Sequence, residues 1–407
     1  MSFLRNFSSL LLCLSHIIVE ASNIPSYYHP PVSATTPPYA PWAHYHFIWL
    51  DSSRSNQSNI VTYMNDYDSY NITFGAIDVD SEWSTGNNNF QIDTNKFPNF
   101  PSFVSSIHQA GRRIILWATS MIDTDCNTFN YSLQNNYFIK DGFNQSAIVT
   151  WWHGQGGFLD YFNPDAVSYW ESQLNNVITI PSLNNEGIDG WKVDGSDAYI
   201  IELLTPISYK GSITYRDYAD AYYNHFLYYT RQYNNESLIW SRPVDSLSNL
   251  PFNLSIFLEY SPKDVMFSGW VGDQDPTFEG LRAAAINVLE SAWQNYTNYG
   301  TDTGGYRGGD RTREVFLRWS QFNAFLPLFE NGGDDEHRPW AFDNVTPGDT
   351  TASDLYRRLV NIHYELVPYF YTTGCTMYAQ NVSSITPISK PPSDFPFPIQ
   401  PDDLTDW

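Results

Sequence analysis

Short apolar runs punctuate the chain at 46–50, 74–79, 113–119, 188–193, 237–244, 265–271, 299–303 and 322–329. Each has the length of one strand buried on both faces and is too short for a helix with a separate polar stripe. Between several of them the pattern changes to helical spacing, at 99–110, 165–176, 215–233 and 277–293. Strands alternating with helices predict a parallel sheet joined by right-handed crossovers. Eight strand candidates predict closure into a (β/α)8 TIM barrel, and no glycine-rich phosphate loop follows the first run to indicate a doubly wound sheet.

Both ends break this rhythm. Residues 1–22 read as a secretory signal: Arg5 precedes an apolar stretch from Leu10 to Val19, and Val19-Glu20-Ala21 offers small residues for cleavage. That stretch falls short of the ~20 residues of a bilayer span, so no integral membrane segment is expected after cleavage, and the product is expected in the secretory lumen or outside the cell. Residues 23–41 form a Pro- and Tyr-rich lead-in, 42–383 the barrel and 384–407 a Pro-rich tail. Export agrees with N-glycosylation sequons at Asn56, Asn71, Asn130, Asn144, Asn235, Asn253, Asn295, Asn344 and Asn381. With Cys13 lost in the signal, Cys126 and Cys375 remain as one pair able to bridge in an oxidising compartment.

Composition narrows the ligand. Lys and Arg number 21 against 44 Asp and Glu, a formal net charge of −23 that excludes nucleic acid and anionic membrane surfaces as partners. Aromatic residues make up 17% of the chain and include 14 Trp, a surplus that suits stacking on sugar faces as well as core packing. The His residues form no HExxH or other short ligand pair, so no metal centre is expected.

The acids, in contrast, fall at strand ends: Ala76-Ile77-Asp78-Val79-Asp80, Trp191-Lys192-Val193-Asp194-Gly195, Trp270-Val271-Gly272-Asp273-Gln274-Asp275 and Thr301-Asp302-Thr303. In a parallel barrel those ends open on one mouth, so the carboxylates converge there. A single Asp after a strand is ordinarily a helix N-cap. Acids at four strand ends indicate chemistry instead, because unpaired charge is costly in a barrel interior. Carboxylates without a His or Cys cluster fit hydrolysis of a glycosidic bond, which needs one ionised and one protonated carboxyl. Alternation along the fourth run puts Lys192 on the inward side with Asp194, where its ammonium holds the carboxylate ionised and reaches a substrate hydroxyl. That marks Asp194 as the nucleophile. Asp273 follows Trp270-Val271-Gly272, and an aromatic wall with a nearby anion suits it to the acid. Asp275, ahead of Pro276, reads as a turn or cap.

At these residues the chain resembles glycoside hydrolase family 31. Gly190-Trp191-Lys192-Val193-Asp194-Gly195, Trp270-Val271-Gly272-Asp273-Gln274, Tyr299-Gly300-Thr301-Asp302-Thr303-Gly304-Gly305-Tyr306 and Leu317-Arg318-Trp319-Ser320-Gln321 occur in that family's order. Weaker likeness at Phe97-Pro98, Trp117 and Phe162-Asn163-Pro164 extends the resemblance over Trp42 to Tyr378. The resemblance implies a retaining α-glycosidase without a cofactor, acting on a carbohydrate substrate of α-glucoside or α-galactoside type, with Asp194 as nucleophile and Asp273 as acid/base. It also implies Asp78 on a distal sugar hydroxyl, Asp302 and Arg318 at the pocket floor, and Trp83, Trp117, Trp191 and Trp270 as walls.

Three departures qualify what the resemblance implies. Arg242 stands further upstream of the acid than the Arg of many α-glucosidases, and it joins Lys192 among the substrate-binding candidates. Phe329-Glu330-Asn331-Gly332-Gly333 stands where many members have Arg-x-His, so glucose specificity does not transfer. Members also flank the barrel with β-sandwich domains. A barrel without them predicts a minimal enzyme or a truncated, non-functional relative, and the rival reading is a carbohydrate-binding or chaperone-like barrel that has lost turnover.

Overall fold

A computed structural model describes residues 37–387 apart from 185, 196–199, 201, 202, 204, 251–253 and 345. The expected signal, residues 23–36 of the lead-in, most of the tail and Asn253 lie outside the described residues. The barrel strands and helices follow one another as β1 (His46–Leu50), α1 (Gln57–Ser69), β2 (Ala76–Val79), α2 (Phe100–Gln109), β3 (Arg113–Ala118), α3 (Pro164–Ile178), β4 (Gly190–Val193), α4 (Tyr215–Arg231), β5 (Leu238–Ser241), β6 (Met266–Ser268), α5 (Phe278–Trp293), α6 (Arg313–Asn323), β7 (Phe329–Asn331) and α7 (Thr351–Gln380). The strands pair in parallel in the order β6-β5-β4-β3-β2-β1-β7.

The sheet closes through residues 300–302, which form parallel bridges from Gly300 to Trp270 and from Asp302 to Glu330. Gly300 N–H donates to Gly269 O at 2.8 Å and Thr303 N–H to Glu330 O at 3.3 Å, so this segment is the eighth stave of a (β/α)8 barrel. Among the described residues, helices cover the outside in every gap but one. Between β5 and β6 the chain makes an antiparallel hairpin, Val244–Leu250 with Leu254–Glu259, in place of a crossover helix.

Local chemistry explains the helix ends that the sequence pattern located. The Asn99 side chain accepts from Ser102 N at the start of α2, with Pro101 in the first turn. Thr214 and Asp217 form a reciprocal capping box on α4, and Thr277 caps α5. The eighth run at 322–329 is corrected: Phe322 lies in the last turn of α6, which ends at Asn323, and the strand is Phe329–Asn331. Val315, Phe316, Trp319 and Ser320 are buried at helical spacing, so the apolar run straddles a helix end and a strand start.

Alternation aims Phe47 and Trp49 of β1, Trp240 of β5 and Trp270 after β6 into the barrel. Their rings pack at 5.3 Å for Phe47 with Trp240 and 5.3 Å for Trp240 with Trp270, which absorbs part of the aromatic surplus. The two cysteines able to bridge are both free. Cys126 is a buried free thiol that donates to Asn87 O at 3.2 Å, while Cys375 is a free thiol on α7 beside Tyr39 and Tyr371. Asn71, Asn144, Asn295, Asn344 and Asn381 all adopt positive φ, so a left-handed backbone independently favours asparagine at these sequons. No helix among the described residues is long and apolar enough to cross a membrane.

Candidate active site

In the closed sheet β5 lies between β4 and β6, so a residue at its end stands between those that follow its two neighbours. Arg242 occupies that place. Its Nε lies 3.0 Å from Asp194 Oδ1, its Nη2 2.8 Å from Asp273 Oδ1 and its Nη1 2.7 Å from Asp245 Oδ2. Both predicted catalytic carboxylates are thus within reach of one planar guanidinium at the C-terminal mouth. Gly272 permits the crowding: at φ +103 it approaches Asp245 so closely that a Cβ would lie 2.3 Å from the carboxylate. Asn287 Nδ2 on α5 donates to Asp245 Oδ1 at 3.0 Å and fixes that carboxylate from behind.

The two carboxylates differ in surroundings. Burial pushes Asp194 upward, but Arg242, Lys192, the Gly195 N–H and the Trp117 Nε1–H together bring it below the ordinary carboxylate range. Gly195 N–H donates to Oδ1 at 2.7 Å and Trp117 Nε1–H to Oδ2 at 3.2 Å. Asp194 is therefore ionised at neutral pH, as a nucleophile must be. Asp273 is the more open of the two, with its side chain 33% exposed against 20%. The aromatic wall expected beside it is present, since Trp270 Nε1 approaches Oδ1 at 3.4 Å. Its immediate charged neighbour, however, is the Arg242 cation rather than an anion.

Lys192 is inward as expected, yet its ion-pair partners are Asp80 at 2.6 Å and Asp78 at 3.3 Å. The ammonium lies 3.8 Å from the Trp49 ring centroid, with Trp240 and Trp270 at 5.1 and 5.0 Å. Desolvation works against the charge, but Asp80, Asp78 and Asp302 hold Lys192 protonated. Asp78 is fully buried, and burial pushes its carboxyl well above the ordinary range despite the lysine. Asp302 and Glu330, also fully buried, behave alike: burial raises both, Asp302 well above the ordinary range and Glu330 to about 7, and each one's charge bears on the other. Trp49 Nε1–H donates to Glu330 Oε2 at 3.0 Å.

Asp194, Asp273, Arg242, Lys192, Trp117 and Trp270 are thus gathered at the mouth, with Asp78 and Asp302 beneath them. Trp83 stands behind the wall, its Nε1–H donating to Trp117 O at 2.8 Å. Trp191 is corrected: it points outward, donates to Thr230 Oγ1 on α4 at 2.8 Å and packs on Phe226. Arg318 is corrected as well, being a 58% exposed side chain on α6 that reaches Gln321 at 3.2 Å. Asp275 is an exposed turn residue near Arg307, as its following proline predicts. The sequence reading passed over Trp49, Trp240, Asp245 and Glu330 as site residues. Strand alternation signals three of them, since Trp49 shares parity with Phe47, Trp240 with Leu238 and Glu330 with Leu328. Asp245 sits on the hairpin and carries no such signal.

A family model described as the glycosyl hydrolases family 31 TIM-barrel domain matches residues 36–373. The probable glucan 1,3-alpha-glucosidase of Arabidopsis thaliana is 24% identical over 319 residues, covering 75% of this chain and 32% of that protein. The lysosomal alpha-glucosidase of Rattus norvegicus is 23% identical over 340 residues, covering 74% and 34%. The cycloalternan-forming enzyme from Listeria monocytogenes, solved in complex with a pentasaccharide substrate, superposes with a TM-score of 0.68 at 20% identity over 85% of this chain and 34% of that one. Likeness at that identity shows the fold alone. The chain spans about a third of the length of the curated relatives it matches.

Proposed function

The chain belongs to glycoside hydrolase family 31, and from that membership we propose that it is a retaining α-glycosidase acting on neutral α-glucoside- or α-galactoside-type substrates. The observation that carries this reading is the single guanidinium of Arg242 shared by Asp194 and Asp273. It brings the two carboxylates to one group, as a pair flanking a single glycosidic bond must be, and the double displacement follows from the family membership. Asp194 attacks the anomeric carbon while Asp273 protonates the departing glycosidic oxygen, giving a glycosyl-Asp194 ester and the free aglycone. Asp273 then takes a proton from water, whose oxygen displaces Asp194 and releases the sugar with its original anomeric configuration. Arg242 keeps Asp194 anionic between turnovers, and Trp117 and Trp270 flank the sugar. Excess acid around the pocket argues against anionic sugars. The signal-like residues 1–22 support work in the secretory lumen or outside the cell.

Hydrolysis of aryl α-glucosides and α-galactosides by the wild type, Asp194→Ala and Asp273→Ala tests the assignment. Each substitution is expected to lower kcat/KM by at least about a hundredfold, with the α-anomer appearing first in the wild-type product. Equal rates in all three proteins would end the catalytic reading, and a β-anomer appearing first would end retention.

A further inference from the structure

The gap between β5 and β6 has no crossover helix among the described residues, and the barrel carries a cleft of about 800 Å³ on that side. Residues of α4, of the segment that enters β6, of the turn after α5 and of the last turns of α7 line it. Three of these elements are pinned to the fourth. Arg216 Nη2 on α4 donates to Tyr260 O at 2.7 Å, Tyr296 Oη–H after α5 to Ser261 O at 2.6 Å, and Tyr378 Oη–H on α7 to Asp264 O at 3.0 Å. The cleft is thus a preformed hollow, and its volume suits a ligand of roughly two sugar rings, since pockets of about 300–1,000 Å³ hold molecules of that size.

Two of the sequons, Asn295-Tyr296-Thr297 and Asn381-Val382-Ser383, open on this one cleft. Both asparagines are exposed. The sequons also touch: Ser383 Oγ lies 3.0 Å from Tyr299 Oη, and Ser384 N–H donates to Thr297 O at 3.4 Å. Packing explains the Ser383 hydroxyl, which accepts from Ile385 N–H at 3.1 Å as well. At the other sequon the left-handed backbone explains Asn295 but asks for no threonine two residues on.

We propose that Asn295 carries an N-linked glycan whose first sugars lie in this cleft and cover the barrel where the crossover helix is lacking. This rests on entry to the secretory lumen and is independent of the glycosidase chemistry. The co-reactant there is a polyprenyl-diphosphate-linked oligosaccharide. The bond from the Asn295 amide nitrogen to C1 of its first sugar forms, the C1–O bond to phosphate breaks with its electron pair left on the diphosphate, and the amide gives up one proton. In the cleft Tyr378 and Pro262 offer apolar faces to the C–H sides of the sugars, and Lys263 and Glu259 lie within reach of their hydroxyls.

The test starts from the full chain secreted by a host that N-glycosylates, with site occupancy read by mass spectrometry of its peptides. Sugar on Asn295 is expected. Sugar at other sequons but not at Asn295 would overturn the proposal alone, and sugar at none would overturn the secretory reading with it. Cys375, a partly buried free thiol that lines the same cleft, then reports the cover, while Cys126 is buried away from it. Its alkylation by a maleimide in the native protein is compared among wild type, Asn295→Gly and Asn71→Gly. Glycine keeps the left-handed backbone of both sites, and Asn71 is an exposed sequon residue outside the cleft. The thiol is expected to react about tenfold faster in Asn295→Gly and at the wild-type rate in Asn71→Gly. Equal rates in all three would overturn the docked glycan. So would wild type from a host without N-glycosylation that reacts as slowly as the glycosylated protein, because the polypeptide would then be its own cover.

Discussion

Lys192 makes its short ion pair with Asp80, Nζ to Oδ2 at 2.6 Å, and leaves direct contact with Asp194 to Arg242. The lysine is enclosed by Trp49, Trp240 and Trp270 and lies over the buried Asp78, so it neutralises the barrel interior while lowering Asp194 from a distance. Lys192→Met keeps the volume and removes the charge. It is expected to destabilise the fold by about 3–5 kcal/mol, because a buried carboxylate then lacks its counter-charge. Urea unfolding measures this, and Lys192→Met with Asp80→Asn should cost much less than the two single losses added together. Strict additivity would mean that the pair does not act as one unit.

Much of the barrel was legible because parallel strands buried on both faces must be short and apolar, and seven of the eight runs mark real staves. The elements that escaped notice are amphipathic and polar. Helix α1 reads Gln57-Ser58-Asn59-Ile60 onward and buries only Ile60, Tyr63, Met64 and Tyr67, a stripe easily lost among Asn, Asp and Ser. At the site, strand-end position located Asp194, Asp273, Asp78 and Asp302, and parity placed Lys192 inward. Parity also opposes a wall role for Trp191, since the neighbour of an inward residue must point out. Which acid Lys192 would choose was not legible, for that depends on Asp80 crossing from another strand end. Nor does alternation reach Arg318, whose helix faces solvent there.

Gly332 lies against the Trp49 indole, and a Cβ built on it would come within 2.3 Å of three ring carbons. Trp49 in turn covers Lys192, donates to Glu330 and stacks on Tyr306 at 5.8 Å, so it is poorly placed to yield. Gly332→Ala is expected to destabilise the fold by about 1–3 kcal/mol through overpacking. Trp49→Ala in the same chain should remove most of that penalty while adding its own cavity cost. The measurement is a double-mutant cycle by chemical denaturation. A penalty for Gly332→Ala that persists without the indole would show that the clash lies elsewhere.

Asp302 and Glu330 meet where residues 300–302 bridge to β7, and both carboxyls are buried out of reach of solvent. Burial is the chief cause that lifts Glu330 from its ordinary 4.5 to about 7. Between those limits the folded chain binds a proton that the unfolded chain has released, so the linked stability is complete below the unfolded value and is lost as pH rises through the folded one. Glu330→Gln keeps the shape and an acceptor for the Trp49 indole N–H, but it has no proton to lose. Thermal unfolding of both proteins from pH 4.5 to pH 8 should therefore show the variant gaining on the wild type as pH rises, by up to about 3 kcal/mol at the alkaline end. Asp302 is coupled to Glu330, so the difference reads the titration of the pair, while groups remote from it cancel. A stability difference that stays flat across this range, or that moves in favour of the wild type, would rule out a raised Glu330 titration at this seam.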